Sequence, residues 1–249
     1  AGKRHNPAML NPSLDATALA DDFRRHGRIR IPDVLLPEAA DALHACLQSE
    51  IPWRLYCYDN RQSPENRALK LRREDLAAMT AEQRQGLQSE VLQQARDQFQ
   101  YVYQAFDLIE GHRRGEQPGL FAYQLMQYFA GDAFFDFART LTGDGEIGLI
   151  DGHATRYIAG HFLKDHADES PFEQRRFAYV LSVTRDWKVD MGGLLHFMDA
   201  GGSVVDTFVP TFNSLTIFAV PTPHTVSYVP PWVAGERLSL TGWLTVPRD

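Results

Sequence analysis

From about residue 145 to its last residue, the chain is broken into short β-branched and aromatic runs separated by Gly, Pro, Asp and Asn. "RRFAYVLSV", "GGLLHFMDAGG", "SVVDTFVP", "SLTIFAV", "HTVSYV" and "RLSLTGWLTV" follow one another in this way. Strand-like runs recurring roughly every ten residues, with turn residues between them, predict a sandwich or barrel of short strands.

Upstream the texture differs. "SLDATALADDFRRHG" places Leu14, Leu19 and Phe23 at helical spacing and stops at Gly27. "RIRIPDVLL" reads as a short strand and turn, and "WRLYCY" as a strand. "PEAADALHACLQSE" reads as a helix opened by Pro37, whose fixed φ suits a first helical position. Residues 59–74, "DNRQSPENRALKLRRE", are polar and basic; they read as a surface loop, either a solvated connector or a mobile lid. "TAEQ" at 80–83 is a capping-box pattern. It leads into a predicted helix whose apolar face runs through Leu87, Val91, Ala95, Phe99, Val102, Phe106 and Ile109. "LFAYQLMQYFAGDAFFDFARTL" adds two helices with a break near Gly131. The expectation is one α+β domain over residues 1–249, with mainly helical support over 1–144 and a β core over 145–249. The helices should pack on one face of that core.

A 249-residue chain that is 44% hydrophobic can bury a core without staples. Its net charge of −7 disfavours a phosphate-backbone ligand, and no basic–aromatic groove stands out, so no nucleic-acid partner is expected. Cys46 and Cys57 make no disulfide framework and read as packing residues in a reducing compartment. No run approaches the ~20 apolar residues of a spanning helix, and "AGKRHNPAML" has no apolar signal core. The reading is a soluble, cytoplasmic protein with no membrane partner, its oligomeric state left open.

"FLKDHADES" contains His166-Ala167-Asp168. A His and an Asp two apart point the same way in an extended chain. With nine histidines present, one such triplet is unremarkable by itself. His224, in "VPTPHTVSYV", lies 58 residues further on, room for several strands that could bring it face to face with the triplet. Two imidazoles and one carboxylate on one side of a metal form the facial triad of non-heme Fe(II) oxygenases, which leaves the other side open for cosubstrate and oxygen. "RLSLTGWLTV" alternates Arg237, Ser239, Thr241 and Trp243 on one face with Leu238, Leu240, Gly242 and Leu244 on the other. A guanidinium with hydroxyls beside it is a carboxylate grip. The alternative is an edge-strand arginine facing water.

These segments resemble the 2-oxoglutarate- and Fe(II)-dependent dioxygenases of the prolyl 4-hydroxylase type. The matching stretches are "YIAGHFLKDHAD", "MGGLLHF", "PHTV" and "RLSLTGW". The resemblance covers roughly residues 145–249 and is closest to the catalytic domain of ribosomal-protein prolyl hydroxylases. It implies a double-stranded β-helix (jelly-roll) core. It implies that His166, Asp168 and His224 bind Fe(II) and form the catalytic centre. Arg237 would hold the distal carboxylate of 2-oxoglutarate, helped by Thr241 or Ser239, and Tyr157 would border that pocket. Where oxygen-sensing relatives carry a second cosubstrate tyrosine, this chain aligns Ser182, with Tyr179 three positions earlier. The implied reagents are Fe(II), 2-oxoglutarate and O2, with ascorbate as a stimulant. The implied reaction is hydroxylation, most naturally of a prolyl residue in a peptide or protein. The alternatives are a free amino acid or small metabolite, demethylation of a nucleic acid on the same core, and a β-sandwich binding module in which the His and Asp are incidental.

Overall fold

The computed structural model describes residues 8–59, 61 and 68–247. Among the described residues, seven α-helices lie between positions 16 and 142: α1 (Ala16–His26), α2 (Pro37–Ser49), α3 (Arg73–Ala78), α4 (Ala81–Asp97), α5 (Leu108–Arg113), α6 (Phe121–Phe129) and α7 (Asp132–Thr142). Their ends follow local chemistry. Asp15 accepts from the backbone N–H groups of Thr17 and Ala18 and so caps α1. Gly27, at φ 65°, closes the same helix in the left-handed conformation that costs glycine nothing. Thr80 and Gln83 form the expected capping box at the start of α4.

The thirteen strands form one antiparallel sheet folded on itself. One layer runs in the order β1 (Arg28–Pro32), β11 (Ser214–Ala219), β8 (Arg175–Ser182), β13 (Arg237–Thr245), β6 (His153–Tyr157) and β4 (Tyr101–Asp107). The other runs β7 (Phe162–His166), β12 (His224–Val226), β9 (Leu195–Met198) and β10 (Val204–Phe208). β4 pairs with both β6 and β7 and joins the layers on one side. On the other side Arg28 of β1 donates to Asp206 of β10 at 3.0 Å, and Arg30 donates to the carbonyl of Val209 at 3.0 Å. The short strands β2 (Arg54–Tyr58), β3 (Ala68–Leu71) and β5 (Leu149–Ile150) extend the first layer. This is the double-stranded β-helix that the resemblance implies, and it agrees with the sandwich or barrel expected from the strand spacing.

The main core lies outside the barrel, between its first layer and the helices. Leu181, Leu215, Ile217, Leu238, Leu240 and Leu244 from the strands meet Phe23, Leu43, Leu47, Leu125, Phe129 and Phe134 from α1, α2, α6 and α7. Burying a side chain of this size stabilises the fold by about 1.5–3 kcal/mol each, before entropy is counted. A second cluster fills the barrel interior, with Tyr157, Phe197, Phe218 and Val226 among its members. No helix among the described residues is long and apolar enough to cross a membrane.

One reading of the first half is extended and one needs correction. β1 and β2 are the two strands expected there, and β3 and β4 also enter the sheet. The apolar stripe assigned to a single long helix is split: α4 ends at Asp97, Val102 and Phe106 lie on β4, and Ile109 lies on α5. Of the polar stretch 59–74, residues 68–71 form β3 and α3 opens at Arg73. Residues 60 and 62–67, where a lid would have to lie, fall outside the described residues. α4 packs away from the main core, its Val91 against Cys57 and Phe162.

Candidate metal centre and cosubstrate cavity

β7 begins with ordinary alternation. Phe162 faces the outer cluster under α4, and Leu163 faces the barrel interior. Continued alternation would put His166 on Phe162's side, away from the interior. The pairing with β12 prevents this. His224 lies opposite His166 and Val226 lies opposite Leu163, so three steps along β7 match two along β12. The extra residue is a β-bulge, and it turns His166 inward with Leu163.

The strand ends at His166, so the triplet is not extended as its spacing suggested. Asp168 sits beyond it at φ 62°, a left-handed conformation that Asp tolerates better than most residues. The turn folds the carboxylate back onto both imidazoles. Asp168 Oδ1 lies 3.3 Å from His166 Nε2, and Oδ2 lies 3.4 Å from His224 Nε2. The two imidazole ring centroids are 4.1 Å apart. One ligand atom from each of the three residues falls within 4.8 Å of the others. They form a group able to hold a metal ion among the described residues.

The protonation pattern suits a metal. His166 Nδ1 lies 2.9 Å from the carbonyl of Lys164, and His224 Nδ1 lies 2.8 Å from the carbonyl of Thr222. A carbonyl only accepts, so each Nδ1 carries the hydrogen and each Nε2 presents a lone pair toward Asp168. Burial, reinforced by the neighbouring His166, lowers the His224 pKa to about 4, which keeps that imidazole neutral near pH 7. Burial pushes Asp168 the other way. The polar contacts with His166 and His224 outweigh it and hold the carboxyl below its ordinary range. The Trp243 indole N–H makes no formed hydrogen bond, yet it lies close enough to Asp168 to help keep it ionised. Two neutral imidazoles and one carboxylate, with second nitrogens already committed, fit an Fe(II) ion.

The triad borders a cavity of about 560 Å³, which Arg237, Tyr157, Thr241 and Trp243 also line. Arg237 is only 3% exposed, and among the described residues no carboxylate pairs with it. Its Nη1 donates to the carbonyl of Gly193 at 2.6 Å, its Nε has no partner, and its guanidinium lies 5.0 Å from the Tyr157 ring. Burial works against its charge and lowers its pKa. A buried guanidinium with a free donor, opening on a cavity, calls for an anionic ligand. The edge-strand alternative is thereby excluded, since β13 is central, with β6 on one side and β8 on the other.

The hydroxyls sort themselves by position. Thr241 faces the cavity. Ser239 is fully buried and shares a 2.9 Å hydrogen bond with Thr155, which itself reaches the cavity wall. Ser182 bonds Thr184 at 3.2 Å instead of lining this cavity, and the Tyr179 hydroxyl donates to the carbonyl of Asp151 at 2.8 Å. The aromatic group beside Tyr157 is Tyr103, stacked on it at 5.2 Å and followed by Tyr101 and Phe99 along the cavity wall. Sequence reasoning missed these three because it placed them on a helix. The alternation of Phe99, Tyr101 and Tyr103 in "FQYVYQ" was the available signal.

Comparison with known proteins places this geometry. Residues 152–245 match the 2OG-Fe(II) oxygenase superfamily. Prolyl 3-hydroxylase OGFOD1 of Mus musculus is 32% identical over 124 residues, 46% of this chain and 22% of that protein. The Xenopus laevis protein of the same name is 35% identical over 121 residues, 44% of this chain and 23% of that protein. The match thus spans less than a quarter of either relative. Among solved structures, a Pseudomonas putida prolyl-4-hydroxylase superposes with a TM-score of 0.55 at 20% identity, covering 94% of this chain and all of that one. A Trichoplax adhaerens prolyl hydroxylase, in complex with a hypoxia inducible factor peptide fragment, reaches 0.61 at 14% identity, covering 93% of this chain and 89% of that one. At these identities the structural matches establish the shared fold.

Proposed function

We propose that this chain, whose residues 152–245 belong to the 2OG-Fe(II) oxygenase superfamily and whose fold is that of the prolyl hydroxylases, hydroxylates a prolyl residue in a peptide or protein. The observation that carries the reading is one cavity holding both the convergent His166, Asp168 and His224 and the unmatched guanidinium of Arg237. When bound, Fe(II) and 2-oxoglutarate supply the oxidative decarboxylation that activates O2 for insertion into an unactivated C–H bond.

The chain's own groups do the rest. His166 and His224 offer Nε2 and Asp168 an oxygen from one side, leaving the opposite side open. The Lys164 and Thr222 carbonyls hold both imidazoles in the ligating tautomer. Arg237 grips the distal carboxylate of 2-oxoglutarate, while Thr241 lines the same cavity and the Tyr157 face borders the dicarboxylate. Tyr101, Tyr103, Phe99 and Trp243 exclude water and offer flat apolar faces against which a pyrrolidine ring can pack. Support for a prolyl substrate comes from the named activity of the matched relatives together with this aromatic wall. Cys46 and Cys57, both free and buried, are consistent with a reducing cytoplasm.

The test is incubation with Fe(II), ascorbate and 2-oxoglutarate against proline-containing peptides and, separately, free amino acids. Mass spectrometry should find one added oxygen on a proline within a peptide, with succinate formed in equal amount. Oxygen added only to a free amino acid or small metabolite would replace the peptide reading and keep the cofactor chemistry.

A further inference from the structure

Lys164 links the bulge in β7 to the end of α4 through its ammonium, and to Gln100 and His166 through its backbone. Its ammonium donates to the carbonyls of Ala95 at 2.7 Å and Gln98 at 2.8 Å, the last turn of α4 and the residue that ends it. Its backbone N–H donates to the carbonyl of Gln100 at 3.1 Å. Its own carbonyl accepts from His166 Nδ1. The carbonyls at a helix C-terminus lack partners within the helix and carry partial negative charge, so a lysine there is held firmly. Gln100, fully buried, locks the same region by bonding the backbones of Tyr58 and Tyr101 and the Gln94 side chain.

Lys164 lies inside the three-step segment between Leu163 and His166, the stretch that holds the extra residue. A strand that ran through these same residues without the bulge would aim His166 at α4. We propose that Lys164 is a positioning residue for the metal centre: by anchoring the bulge to α4 it keeps His166 turned into the barrel and in its ligating tautomer. The inference rests on the metal-site reading above. It carries a second consequence, that metal binding at His166 and order in residues 94–101 are coupled, the Lys164 ammonium adding to the Phe99 ring that lies 5.9 Å from His166.

The experiment uses Co(II) as probe, titrated by absorption into metal-free full-length protein, for wild type, Lys164→Met and Lys164→Arg. The methionine variant should bind Co(II) about 10- to 100-fold more weakly, the range for losing a group that orients a metal ligand. The arginine variant should recover much of the loss, because its guanidinium can also donate to the two helix-end carbonyls. Hydrogen exchange on the wild type, with and without Co(II), should show protection gained over 94–101. If wild type binds no Co(II), the metal-site reading itself fails. Wild-type binding with equal affinity in Lys164→Met overturns the role of Lys164 alone. Should the methionine variant not fold, unchanged exchange over 94–101 on adding Co(II) to the wild type overturns it instead.

Discussion

His166 lies directly opposite His224 across the β7–β12 pair, yet the two reach that position from strands that are out of step by one residue. The bulge makes a metal centre from segments 58 residues apart in sequence. Removing either imidazole should therefore abolish tight metal binding while leaving the main core, which lies on the far side of the first layer, intact. His224→Ala is expected to weaken Co(II) binding by more than the roughly 10- to 100-fold typical of losing a group that orients a metal ligand, with an unchanged far-ultraviolet circular dichroism spectrum. Co(II) titration of the metal-free variant checks this.

Arg237→Met separates ligand binding from stability. The guanidinium is buried with no carboxylate partner among the described residues, so its loss should change metal-free stability little or raise it. Losing the partner of a buried carboxylate costs roughly 2–5 kcal/mol, so affinity for 2-oxoglutarate should fall at least about 30-fold. Thermal melts with Mn(II), with and without 2-oxoglutarate, should show a ligand-induced rise in the wild type and none in the variant.

Acid should destabilise the metal-free protein earlier than its carboxylates alone would suggest. His224 and His161 both have pKa values lowered to about 4, in each case chiefly by burial. Both would titrate near 6.5 when unfolded. Between those values the unfolded chain binds more protons than the folded one, so stability rises with pH across this window. The stabilisation is complete above about pH 6.5 and is lost as pH falls toward 4. Two such groups give a slope of up to roughly 2.7 kcal/mol per pH unit, read from urea unfolding midpoints at a series of pH values.

Gly242 is expected to tolerate no side chain. A Cβ there would lie 2.3 Å from the backbone oxygen of Asp151, which cannot move aside as a side-chain tip could. Asp151 also accepts from the Trp243 backbone N–H at 2.6 Å, so any shift carries the cavity wall with it. Gly242→Ala should lose about 1–3 kcal/mol or more in urea unfolding and weaken 2-oxoglutarate binding as well.

Much of the site was legible because its chemistry is local. The alternation of "RLSLTGW" put Arg237 on one face with Ser239 and Thr241, and the family resemblance, more than the His-x-Asp triplet, pointed to His166, Asp168 and His224, which the structure brings together. Two features were not legible, and both are tertiary. The apolar spacing of Leu87, Val91 and Ala95 continues by coincidence through Phe99, Val102 and Phe106, so nothing in the pattern ends the helix at Asp97. Lys164, 67 positions further on, holds the carbonyls where it ends. The bulge that turns His166 inward appears only in the register against β12, and a single strand does not display its register. The tyrosine wall was hidden by the first of these and the true aim of His166 by the second.

The most direct measurement is a crystal structure of the protein grown without oxygen in Mn(II) and 2-oxoglutarate, with the metal located by its anomalous scattering. The account requires one peak about 2 Å from His166 Nε2, His224 Nε2 and an Asp168 oxygen, with a carboxylate of 2-oxoglutarate on Arg237. A metal bound elsewhere, or 2-oxoglutarate seated away from Arg237, would contradict it.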